Sequence, residues 1–69
     1  MRILIETIAK VKDFNRTAES CLGDITLTSG RYVINGKSFM GILSLDLTHP
    51  IELEVEREDE RIKFETFRV

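Results

Sequence analysis

Ile51-Glu52-Leu53-Glu54-Val55-Glu56 is the most regular stretch of the sequence. Apolar and acidic residues alternate without a break. Side chains of a β-strand point to opposite faces in turn, so this spacing predicts a strand with Ile51, Leu53 and Val55 on a core and the glutamates in water. A strand solvated on one face belongs in an antiparallel sheet covered on the other. His49-Pro50 sets its start, because the residue before a proline is pushed out of the helical region.

Upstream of this strand, Ser38 follows Gly36-Lys37 and precedes Phe39-Met40-Gly41-Ile42-Leu43. A serine whose hydroxyl accepts a free amide of the first turn is a common helix N-cap, so a short helix is expected. Asp24 to Thr28 carries Ile25 and Leu27 two apart, and Arg31 to Asn35 carries Tyr32, Val33 and Ile34. Ser29-Gly30 between them supplies turn chemistry, so the pair reads as a hairpin. Ile8, Val11, Phe14, Ala18 and Leu22 recur at spacings of three or four and mark one apolar helical stripe. Thr7 is placed to cap that helix, and Gly23 to end it as a C′ glycine. Arg2 to Glu6 reads as a first strand. The tail from Glu58 to Val69 fits two patterns: Phe64 and Phe67 suit a helix, Ile62 and Phe64 a strand. A short helix is the expectation taken here. The element order is then β-α-β-β-α-β-(α).

With 69 residues the chain is expected to form one domain, residues 1–69. Its 42% apolar and 32% charged content places it among globular chains. A net charge of −2 gives no electrostatic case for nucleic acid or an anionic membrane. No apolar run approaches the ~18–20 residues of a membrane span. Met1-Arg2-Ile3-Leu4-Ile5 is interrupted by Glu6, too soon for a signal peptide. One cysteine forms no internal disulfide. A cytoplasmic location is expected.

Lys37-Ser38-Phe39-Met40-Gly41-Ile42-Leu43-Ser44-Leu45 resembles the Lys-Ser-Ile-Met-Gly-Val-(Leu/Met)-Ser-Leu segment of HPr, the bacterial histidine-containing phosphocarrier of the sugar phosphotransferase system. The similarity combines nine consecutive positions with the matching element order. It extends without a gap over Thr17 to Ser38, and in all over about Met1 to Glu56. The resemblance implies an α+β fold: an open-faced sandwich with a four-stranded, mostly antiparallel sheet, helices on one face and a shortened C-terminal helix.

The chain departs from that family where the chemistry is done. The family carries phosphate on the histidine of a Gly-(Ile/Leu)-His-Ala-Arg-Pro-Ala segment opening the first helix. Here the corresponding stretch is Glu6-Thr7-Ile8-Ala9-Lys10-Val11, with no histidine, arginine or proline, and with fewer residues between strand and helix. Reversible phosphoryl relay needs an imidazole nitrogen as nucleophile and donors to hold the phosphate oxygens. Thr7 offers a hydroxyl instead. The expectation is a relay-deficient member and not an enzyme, with no cofactor and no metal.

Several residues stand out. The resemblance places Ser38 where some bacterial HPr proteins carry a regulatory serine phosphorylated by a dedicated kinase. An N-cap worth about 1 kcal/mol explains the serine without any kinase. Lys37, Phe39, Met40 and Leu43 fall on the surface that contacts partner proteins in the family, and the three apolar ones suit either a docking patch or a small core. Ile42 and Leu45, on the opposite side of the helix, are core candidates. His49, the lone histidine, is a surrogate acceptor only by its position near the missing loop. Cys21 reads as a buried free thiol. Glu52, Glu54, Glu56, Glu58, Asp59 and Glu60 read as a solvated strand face and turn, without the ligand spacing of a calcium loop. Three functions compete: a non-catalytic HPr-like regulatory module binding protein partners; a phosphocarrier of the phosphoenolpyruvate-dependent system using His49 or Thr7; and the fold reused for unrelated protein binding.

Overall fold

The computed structural model describes all residues, Met1–Val69. Its elements run β1 (Arg2–Ile3), α1 (Ile8–Glu19), β2 (Ile25–Ser29), β3 (Tyr32–Asn35), α2 (Phe39–Leu43), β4 (Ile51–Val55) and a C-terminal 3-10 helix (Glu58–Phe67). The strands form a single sheet in the order β1-β4-β2-β3, and every pairing is antiparallel. The α+β class, the four-stranded antiparallel sheet and the three helices agree with the sequence reading.

The alternation in β4 sets the two faces. Ile51 and Leu53 are buried, Val55 is half-buried, and Glu52 and Glu54 are exposed. Cross-strand pairs carry the pattern over, with Ile51 opposite Ile3 and Leu53 opposite Leu27. Side chains directly opposite in adjacent strands share a face. The inner face therefore holds Ile3, Ile25, Leu27, Ile51 and Leu53, and the outer face Arg2, Thr26, Thr28, Glu52 and Glu54. The inner face joins Val11, Phe14 and Ala18 of α1, Ile42 of α2, and Phe64 and Phe67 of the C-terminal helix in one core cluster.

The hairpin turns through Gly30 and Arg31, one residue later than the expected Ser29-Gly30, because Ser29 still pairs with Tyr32 and Arg31 lies outside the strand. Gly30 has φ +58°, the left-handed value that a two-residue hairpin loop demands at its first position and that glycine adopts without strain.

Three further expectations change. Regular pairing in β1 covers only Arg2–Ile3, although Ile5 is fully buried and continues the inward alternation. Helix α1 ends at Glu19, with Ser20 as its C-cap, and not at Gly23. Its stripe is accordingly shorter: Val11, Phe14 and Ala18 are buried, while Ile8 is half out and Leu22, beyond the helix, is 80% exposed. Cys21 takes the core position in its place, and its thiol donates to the Thr17 carbonyl at 3.4 Å. The tail is helical, as the Phe64–Phe67 spacing implied, but of 3-10 type. Ile62 is exposed, and the strand reading survives only as an isolated bridge between Arg68 and Ile3.

The face assignment predicts an asymmetric pair of variants. Leu53→Ala should cost about 2–5 kcal/mol, as truncation in a packed core does. Glu54→Ala should stay within about 0.5 kcal/mol. Urea denaturation midpoints check both, and equal midpoints would reverse the assignment.

Candidate functional site

Helix α2 is held in place by its neighbours more than by its own five residues. The side-chain amide of Asn15 on α1 donates to the Lys37 carbonyl at 3.0 Å. In return the Lys37 ammonium donates to the Cys21 carbonyl, also at 3.0 Å. The Ser38 N–H donates to the Asn35 carbonyl at 2.9 Å, which closes the turn out of β3. The start of α2 is thus fastened to the end of α1 and to the end of β3.

Ser38 is exposed and its hydroxyl oxygen accepts the Gly41 N–H at 3.1 Å, the cap that its sequence position predicted. A Cβ at Gly41 would lie 3.1 Å from that oxygen, so the smallest residue leaves room for the cap. Ile42 is fully buried and Leu45 nearly so, as expected. Met40 is 74% exposed, while Phe39 and Leu43 are half-buried and packed against the core. The presented surface is one flexible thioether flanked by the outer parts of two large apolar side chains. Lys37 borders it, but its ammonium is turned toward α1.

Around the first turn of α1, Thr7 accepts the Lys10 N–H at 3.1 Å and so acts as the N-cap. The Lys10 ammonium lies 3.7 Å from Glu6. His49 stands two residues before Ile51, whose partner is Ile3, so it lies at the end of the sheet where β1 leads into α1. Its Nε2 is 3.6 Å from an Asp46 carboxylate oxygen. Asp46 in turn accepts from both the amide and the hydroxyl of Thr48. Those bonds hold the Asp46 carboxyl below its usual range.

The acidic run behaves differently from the sequence reading. Glu60 is buried, not solvated. Its two carboxylate oxygens accept the Leu22 N–H at 2.8 Å and the Gly23 N–H at 3.0 Å, and Lys63 lies 3.8 Å away. Glu56 accepts the Asp24 N–H at 2.9 Å. A Cβ at Gly23 would meet the Arg57 side chain at 2.7 Å, so this glycine serves close packing and not helix termination. The signal for a carboxylate clamp was weak in sequence, since Glu60 sits among exposed acids and its partners lie 37 and 38 residues away. No group of three or more His, Cys, Asp or Glu side chains converges to hold a metal. No helix is long and apolar enough to cross a membrane.

Compared with known proteins, the chain matches no family model, no curated protein and no solved structure.

The clamp makes stability depend on pH. The Gly23 and Leu22 amides bond the charged form of Glu60 and hold its carboxyl below the ordinary glutamate value. A depressed folded-state pKa contributes stability that is present above the unfolded value, about 4.3, and is lost as pH falls through the folded one. Glu60→Gln should therefore lower the thermal midpoint at pH 7. The gap to wild type should shrink steadily as pH drops below about 4. Thermal melts of both proteins between pH 7 and 3 check this, and a gap that does not change with pH would reject it.

Proposed function

We propose that this chain is an HPr-like, non-catalytic regulatory module. It would engage protein partners through the α2 surface of Lys37, Phe39, Met40 and Leu43, and would not relay phosphate through histidine. The observation that carries the reading is the exposure of Met40 beside half-buried Phe39 and Leu43 on a helix fastened at its start. A methionine side chain adapts to different partners, and an apolar patch on a small domain favours association. The sequence similarity over Lys37 to Leu45 covers that same surface. Thr7 stands where the family's histidine segment would open the first helix, and its hydroxyl oxygen is engaged in capping.

Ser38 fits a regulatory role on this reading. It is exposed, and a phosphoryl group added by a serine kinase would replace the hydroxyl proton beside the first amides of α2. It would also compete with the Cys21 carbonyl for the Lys37 ammonium 3.0 Å from that carbonyl. Modification would then loosen the tie between α1 and α2 as well as charge the patch.

A second reading, a phosphocarrier with a non-standard acceptor, draws on the Asp46–His49 pair, since a carboxylate can orient an imidazole. The two readings separate in one assay. Incubation with phosphoenolpyruvate and the phosphotransferase that charges HPr should leave the chain unlabelled. Stoichiometric acid-labile labelling that disappears in His49→Ala would establish the second reading. The binding surface is tested by Met40→Asp and Ser38→Asp as folded baits in native cytosol. Met40→Asp should lose the proteins that wild type retains, with little change in denaturation midpoint because the side chain is exposed. Unchanged recovery with both variants would move the binding site off α2.

A further inference from the structure

We propose that β3 pairs with β3 of a second copy of this chain, antiparallel and centred on Val33, so that two sheets join across a two-fold axis. The starting point is the unequal treatment of the two sheet edges. β2 and β4 have strands on both sides. The outer side of β1 is occupied by the chain's own tail: the Leu4 N–H donates to the Phe67 carbonyl at 3.0 Å, and the Val69 N–H to the Arg2 carbonyl at 3.1 Å. β3 keeps an open edge along its whole length, whereas β4 lacks a neighbour on its β1 side only past Leu53.

The ladder phase shows what that edge offers. Gly36 N–H donates to the Ile25 carbonyl at 2.7 Å, one step beyond the Asn35–Thr26 pair. Antiparallel ladders alternate, so Tyr32 and Ile34 also bond inward to β2. Val33 therefore turns its N–H and C=O outward, and Asn35 its N–H. The Asn35 carbonyl is occupied by Ser38 N–H. Proteins usually blunt such an edge with proline, lysine, a bulge or a covering segment. Tyr32-Val33-Ile34-Asn35 has no proline and no lysine, and its register with β2 is unbroken. Tyr32 and Val33 are both largely exposed.

A second copy fits this edge in a specific register. With Val33 opposite itself, the two Val33 residues exchange N–H and C=O bonds, and each Asn35 N–H reaches the Arg31 carbonyl of the other copy. Tyr32 then lies opposite Ile34, an aromatic and β-branched pair that stabilises antiparallel sheets. Arg31 lies opposite Asn35, not opposite a second cation. The two Arg31 residues are separated by about 13 Å along the sheet, beyond the ~8 Å Debye length at physiological ionic strength. Slipping the register to centre on Arg31 would bring the two cations together. Because the strand is short, the interface falls in the small, weak class, with dissociation expected on the order of 100 µM.

Sedimentation velocity from about 10 µM to 1 mM tests the proposal, run beside amide exchange at both ends of that range. Wild type should approach twice the monomer mass, and its Val33 and Asn35 amides should become protected as concentration rises. Val33→Pro deletes only an outward N–H, which an edge strand tolerates. Val33→Lys places like charges opposite each other. Both should keep the wild-type circular dichroism and weaken association at least about tenfold. A wild type that stays monomeric at 1 mM overturns the proposal, even if it binds a foreign extended peptide. So does dimerisation that persists in whichever of the two variants folds, or that leaves the Val33 and Asn35 amides unprotected.

Discussion

Phe14 is the contact on which the rest of the core turns. Its ring centre lies 5.3 Å from Phe64 and 5.5 Å from Phe67, the second in an edge-on arrangement. A four-stranded sheet presents more inner surface than α1 alone can cover, and α2 adds only five residues. The C-terminal segment supplies the remainder, and the aromatic cluster is what holds it down. Offset and edge-on rings gain about 0.5–1.5 kcal/mol beyond their area, which matters in a domain whose net stability is only a few kcal/mol. The same segment then continues past Phe67 to line the outer side of β1.

The connection from α1 to β2 shows how polar groups are handled at the margin of that core. Four successive residues leave backbone groups without helix or sheet partners. Lys37 takes the Cys21 carbonyl, Glu60 the Leu22 and Gly23 amides, and Glu56 the Asp24 amide. Each donor or acceptor comes from a different part of the chain. The loop is thereby tied to the start of α2, to the end of β4 and to the C-terminal helix. Leu22 is exposed as a result, since its amide is directed inward and its side chain outward. The position of the α2 surface inherits its definition from this loop.

Most of the fold was legible because its signals are local. The alternation Ile51–Val55, the glycine of the hairpin turn, the Thr7 and Ser38 caps and the Val11-Phe14-Ala18 stripe each need only a few neighbouring residues to be read. The candidate site was legible in part. Ser38 as a cap and Ile42 as core follow from helical spacing, but the half-burial of Phe39 and Leu43 depends on β3 and the core packing beneath them. Gly23 misled for a physical reason: glycine suits both a helix terminus and a tight contact, and here Arg57 made the contact decisive. Glu60 looked like its acidic neighbours, because nothing nearby in sequence marks the two amides it serves. The 3-10 form of the tail likewise depends on what Phe64 and Phe67 meet, since i and i+3 positions suit either kind of helix.

The buried thiol of Cys21 gives the molecule a built-in clock. Burial chiefly, and the Glu60 carboxylate next, push its ionisation above the ordinary cysteine value. The attacking species in thiol chemistry is the thiolate, so burial and the raised ionisation both slow reaction of the closed form. Alkylation is then fastest in excursions that free the connection after α1 from the core beneath it. Its rate under mild conditions therefore counts those excursions, and it does so at one residue, without any label introduced into the chain. Because the carbonyl of the same residue is held by Lys37, whatever draws that ammonium toward α2 would be heard at the sulfur.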